Sequence, residues 1–151
     1  MSLVMGLDGK ERAMKATTGD AVSSISTLYV GLLQSAPAGM DGMTLATLVG
    51  AGAGDEFAIN ANFYSARKAI TFGSITVDAS GAIRTNNNGS PLDWANTSGS
   101  TKTVAAMFIT DAASGTSGLV LWVGAPDAGT ATILTGRSAK INSGDLILKV
   151  D

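Results

Sequence analysis

Histidine and cysteine are both missing from this chain of 151 residues. Their absence removes the commonest general base, the commonest metal ligand and the thiol nucleophile. No disulfide can form, which says little about compartment. Charge is also scarce, at 15% of residues against about 25% in ordinary globular domains. With a formal net charge of −2, there is no electrostatic case for nucleic acid. Apolar runs are short, and none reaches the roughly 18 to 20 residues that cross a bilayer. No membrane contact is expected. The opening MSLVMGLDGKER turns charged too early for a signal peptide.

What the chain does have is apolar and small. Hydrophobic residues make up 45% and glycine accounts for 19 positions. A domain of this length buries roughly 70% of its unfolded surface, so one real core is expected. Low charge beside high apolar content suggests that another chain covers part of the surface. An obligate oligomer is therefore expected, with an interface above about 1,000 Å².

Along the chain, residues 1–6 read as a flexible arm and LDGKERAMKAT, 7–17, as a short helix. Asp8 is placed to cap the first turn with Glu11 as its capping-box partner. Lys15 suits the helix dipole, and Gly19 stops the helix. Residues 1–20 are taken as arm and helix, and 21–151 as the main domain. STLYVGLLQSAP, 26–37, is a strand in which Leu28, Val30 and Leu32 alternate with Tyr29, Gly31 and Leu33. A long strand is expected over 67–79, kinked at Gly73, with a hairpin signal at Ser80-Gly81. NNNGSPLDWANTSGS reads as turns anchored by Trp94. Strands recur at 102–110, 118–124, 130–136 and 145–150. That spacing predicts an all-β antiparallel sandwich or barrel, with no helix after residue 60.

The segment 38–62 is apolar where a solvent loop should be polar. Met40 and Met43 are adaptable contact residues, and Leu45 and Leu48 can share one face of a helical turn. Either this loop packs on its own sheet or it contacts a neighbour. Leu7 and Met14 pose the same choice on a helix too short to persist alone. Leu7, Met14, Met40, Met43, Leu45 and Leu48 are therefore the candidate partner-contact residues.

Residues that suggest chemistry have commoner structural explanations. GAGAG at 50–54 lacks the Lys-Ser/Thr ending of a phosphate loop. Asp55-Glu56 has no calcium-loop spacing around it and reads as a solvated pair. Asp93 and Asp111 are considered as a glycosidase-like carboxylate pair, but nothing in the sequence brings them together. Lys68, Lys102 and Lys140 sit in strand contexts that point them outward, not beside an activated serine. Trp94, Trp122, Phe63, Tyr64 and Phe72 either form a sugar platform or anchor core and interface, the commoner use. Asn88-Gly89-Ser90 and Asn96-Thr97-Ser98 match the glycosylation pattern and read as turns. No catalytic residue, metal site or cofactor is expected.

Four segments recur in an order that resembles a group of small bacteriophage virion proteins. They are Tyr29-Val30-Gly31-Leu32 running to Pro37, and Tyr64-Ser65-Ala66-Arg67 running to Phe72. Then come Ile109-Thr110-Asp111-Ala112-Ala113-Ser114-Gly115, and Gly144-Asp145-Leu146 running to Val150. Members of the group are described as head-decoration (cement) or tail-fibre-like proteins. The resemblance implies a non-enzymatic virion component with a jelly-roll-like sandwich. The expectation is a head-decoration protein, made in the host cytoplasm, that acts as a homotrimer on the capsid surface. Its partners would be the major capsid protein and itself. The alternative is a tail or tail-fibre component contacting host glycans.

Overall fold

The computed structural model describes residues 2–77, 79 and 82–150. The chain is all-β with one substantial helix. Its strands are β1 (Ser2–Met5), β2 (Leu28–Leu33), β3 (Lys68–Ile70), β4 (Thr76–Val77), β5 (Ile83–Asn86) and β6 (Leu92–Ala95). They continue as β7 (Lys102–Val104), β8 (Ala106–Thr110), β9 (Val120–Gly124), β10 (Ala131–Ile133), β11 (Ser138–Ile141) and β12 (Ile147–Val150). Helix α1 spans Leu7–Thr18 and the five-residue α2 spans Leu45–Val49, after a 3-10 turn at Met40–Gly42. Among the described residues no helix follows α2, and none is long and apolar enough to cross a membrane.

Eight strands form one sheet in the order β3-β2-β8-β9-β1-β12-β5-β4. Two ribbons, β7–β10 and β6–β11, are separate antiparallel pairs. Strand alternation gives each face of the sheet its own core. Val30, Leu32, Met107, Ile109, Leu3 and Leu148 face one way and meet Trp94, Leu92, Ile141 and Ile133 of the ribbons. Leu33, Ala106, Phe108, Val120 and Val123 face the other way and are covered by Leu45 and Leu48 of α2. A bulge between Ile109 and Thr110 in the β8–β9 pairing allows Val120 and Val123, three apart, to share that second core.

Several expectations change. Residues 2–5 are not an arm: β1 lies mid-sheet, antiparallel to β9 and parallel to β12. The sheet is therefore mixed, with β1–β12 as its parallel pair. Four residues carry too little periodicity to announce a strand, and the neighbours that recruit it are over 110 residues away. Helix α1 forms as expected, and Gly19 ends it in the left-handed conformation with its N–H donated to the Lys15 carbonyl. Asp8 does not cap it; the N-cap is Gly6, and the Asp8 carboxylate instead accepts from the Val120 N–H at 2.7 Å. Glu11 pairs with Lys15 one turn on, at 2.5 Å. The expected long strand over 67–79 is broken into β3 and β4, and its Ser80-Gly81 turn lies outside the described residues. Strands β6 and β11 were not expected, because their tetrapeptides LDWA and SAKI sit among turn residues.

Candidate functional site

The polar centre of the molecule is Arg67, 4% exposed and placed at the entry to β3. Its Nε donates to Glu56 Oε1 at 2.8 Å and its Nη2 to Glu56 Oε2 at 2.7 Å. This is the bidentate geometry that guanidinium and carboxylate favour. Tyr64 donates its hydroxyl to the same Oε1 at 2.6 Å. Its Nη1 donates to the Ala112 carbonyl at 3.0 Å, and its Nη2 also donates to the Gly115 carbonyl at 2.7 Å. The Phe108 ring lies under the guanidinium, 5.1 Å from centroid to Cζ. Two distant segments, 56–67 and 108–115, are thereby tied to one side chain.

The electrostatics describe a closed structural cluster. Burial alone would lower the Arg67 pKa, but the hydrogen bond and charge of Glu56 outweigh it and hold the guanidinium charged. Burial, followed by the Glu56 hydrogen bond and charge, raises Tyr64 far above the usual phenol range. Among the described residues, no buried side-chain nitrogen or oxygen lacks a hydrogen-bond partner. Nor do they contain a group of three or more His, Cys, Asp or Glu able to hold a metal ion. Asp111 accepts the Leu119 N–H at 2.8 Å, closing the 111–119 loop. Asp93 is exposed on β6, opposite Lys140 in the register.

The recurring segments all have structural work. Gly31 lies on the Phe108 ring, where a Cβ would run into the aromatic carbons. Tyr64 and Arg67 build the cluster, and Ala112 and Gly115 accept from it. Asp145 accepts from the Asn142 N–H and Nδ2, shaping the turn that delivers the fully buried Leu146 to the core. Buried Asn87 spans that turn, donating to the Asn142 carbonyl at 2.8 Å and accepting the Leu146 N–H at 2.9 Å. The first motif fixes strand packing, and the other three fix loops.

The chain matches, over residues 11–149, a protein family described as podophage GP4 fiber I protein gp80. It belongs to that family. It is thus a structural protein of the phage virion, the class that the resemblance implied. No curated protein matches the chain.

In this gp80-family chain the candidate contact residues divide sharply. Leu45 and Leu48 are 1% and 0% exposed. They point into the chain's own fold, covering the second face of its sheet beside Phe108 and Val123. Thr44 starts their helix by accepting the Thr47 N–H. Met40 and Met43 pack half-buried against the same core. Leu7 and Met14 remain outside, at 41% and 65% exposure on a helix that buries no residue at all.

The aromatic residues form no surface platform. Phe63, Tyr64 and Trp94 are buried, with Tyr64 and Trp94 stacked at 6.4 Å. Trp94 donates its Nε1–H to the Ala66 carbonyl at 2.9 Å. Phe72 and Trp122 are half-buried against the same core. Asn96 is fully buried and its Nδ2 donates to the Ser100 and Ile133 carbonyls, so it serves as a turn residue. The Glu56–Arg67 pair escaped sequence reasoning, which took Glu56 for a solvated residue. The available signal was an arginine three residues after a tyrosine beside an apolar strand.

Proposed function

We propose that this protein is a non-enzymatic building subunit of a virion fibre, assembling with copies of itself. The observation that carries the reading is the family match over residues 11–149 to a protein described as a podophage fibre. The cluster chemistry supports it. Arg67, Glu56 and Tyr64 are committed to one another and to loop carbonyls, leaving a scaffold that holds loops and surfaces rigid. Exposed apolar side chains supply contact area: Leu7 and Met14 on α1, and Ile75, Val77 and Ile83 at the β4–β5 edge. Val77 and Ile83 are directly opposite in register, so they form a continuous apolar strip.

The second reading is a head-decoration protein, a homotrimer that binds the major capsid protein and stabilises the assembled shell. Its support is the low charge content, 15%, together with exposed apolar residues on two separate elements, α1 and the β4–β5 edge. Two such contacts on one subunit can engage two neighbours at once. Binding only the assembled shell would stabilise that shell by mass action. Quantitative mass spectrometry of purified virions, with gold-labelled antibody in electron micrographs, separates the two. The fibre reading expects a few to some tens of copies and label on appendages. Hundreds of copies with label over the head would overturn it in favour of decoration.

A further inference from the structure

Strand β1 lies more than 110 residues along the chain from both strands it pairs with. It fills the middle of the sheet, with Val4 opposite Val123 of β9 and Leu3 opposite Leu148 of β12. Remove it and the sheet falls into two parts, β3-β2-β8-β9 and β12-β5-β4, with a slot one strand wide between them. The slot includes a socket in the first core for Leu3, which is 1% exposed. Its β9 side is shaped for close approach. A Cβ on Gly6 would sit 2.5 Å from the Val120 carbonyl oxygen, and one on Gly9 would strike the Leu121 carbonyl. Gly6 donates its N–H to the Leu121 carbonyl at 2.8 Å, and Asp8 accepts the Val120 N–H at 2.7 Å.

These contacts come from one short stretch, residues 2–9. The next segment is held loosely. Helix α1 buries no residue, and its Lys10–Asp41 ion pair is exposed on both sides. Residues 20–27 then run without regular structure, and all but Ile25 are exposed. The Ser23 carbonyl in that linker accepts from Arg12, a contact that stays within the segment. Fully extended, eight residues reach roughly 26–29 Å. The linker joins α1 to β2, and among the described residues no strand pairing of its own holds the donor segment in its own subunit.

We propose that residues 2–19 are an exchangeable donor, and that in the assembled fibre β1 and α1 insert between β9 and β12 of a second copy of this chain. The biological setting of the exchange rests on the fibre reading. Every contact that residues 2–9 make with β9 and β12 is recreated in the exchanged form, so the choice between closed and exchanged states falls to subunit concentration and the linker. Exchange passed from subunit to subunit without closing makes a linear array, the geometry a fibre requires. Main-chain pairing along a completed strand supplies the affinity, as in other strand-addition assemblies.

The chain has no cysteine, so introduced thiols can pair only with each other. Full-length Val4→Cys and Val123→Cys proteins are unfolded together, refolded at high concentration and oxidised. Directly opposite antiparallel residues stand about 4.5–5.5 Å apart at Cα, within disulfide range. The expected product is a reducible species of twice the 15.1 kDa chain mass in which peptide mass mapping finds the disulfide joining position 4 of one chain to position 123 of the other. The chain carrying both cysteines is the control for geometry. If it closes its own disulfide while the mixed single variants stay at one chain mass, the exchange is refuted. Ser2→Cys with Ile147→Cys, opposite in the parallel register, repeats the test without touching buried Val123. Cross-linking in solution and location on the virion are separate readouts. A missing cross-link with labelled appendages sinks exchange alone, and a cross-link with labelled heads sinks the fibre reading alone.

Discussion

Replacing Glu56 with glutamine should be among the most damaging polar substitutions in this protein. The Glu56 and Arg67 side chains are 14% and 1% exposed. Glutamine keeps the shape but removes the charge that both Arg67 Nε and Nη2 address. The guanidinium would stay charged with one neutral glutamine oxygen and the Ala112 and Gly115 carbonyls as acceptors, while the glutamine NH2 would face a second donor. Removing one partner of a buried pair costs about 3–5 kcal/mol. That is a large fraction of the roughly 5–15 kcal/mol that holds a typical domain folded. Arg67→Met on its own should also destabilise, because those two carbonyls lose their donors, at about 1–3 kcal/mol each. The double variant should lose less than the sum of the two, since it leaves no uncompensated charge. Urea denaturation is the assay: the midpoint should fall for Glu56→Gln with the slope unchanged. Asp41→Asn, at the exposed Lys10–Asp41 pair, is the internal control and should leave the midpoint in place. A loss below about 1 kcal/mol for Glu56→Gln, the range of exposed ion pairs, would refute the reading of the cluster as the molecule's polar clasp.

The same geometry sets four further outcomes. Tyr64, raised from its ordinary 10.0 by burial and by Glu56, contributes stability that is full below pH 10 and lost as pH rises further, because only the unfolded phenol ionises there. Tyr64→Phe should flatten the stability profile above pH 10, and an unchanged alkaline slope would count against that assignment. Leu45→Ser with Leu48→Ser should destabilise the lone subunit by several kcal/mol, since each buried leucine is worth about 2–5; unaltered thermal stability would return these residues to the partner-contact role. Gly31→Ala should cost about 1–3 kcal/mol by overpacking the Phe108 ring, read by denaturant titration, and a neutral result would mean the ring can shift. Leu3→Ala should lose about 2–5 kcal/mol and expose β9 amides to hydrogen exchange, whereas a frayed arm would show neither effect.

Local pattern along the chain was enough to establish the class of fold and the class of protein. The near-continuous apolar runs at Leu28–Leu33, 106–110 and 120–124 fit strands with both faces covered. Gly19 ended α1 because the left-handed cap needs no partner from elsewhere. The absence of histidine and cysteine, with four ordered motifs, pointed to a virion structural component. Features whose partners lie far along the chain emerged only with the folded molecule. Ser2–Met5 becomes a central strand because β9 and β12 present free edges to it. Asp8 leaves the helix cap for an amide 112 residues away. Leu45 and Leu48 turn inward because Phe108 and Val123 leave apolar area that they cover, with Met40 and Met43 packed beside them. Glu56 becomes half of a buried ion pair because folding brings Arg67 and two loop carbonyls onto it. Residue order records which side chains prefer water or a pleated backbone, but the pairing of edges and charges is settled only when the distant segments meet.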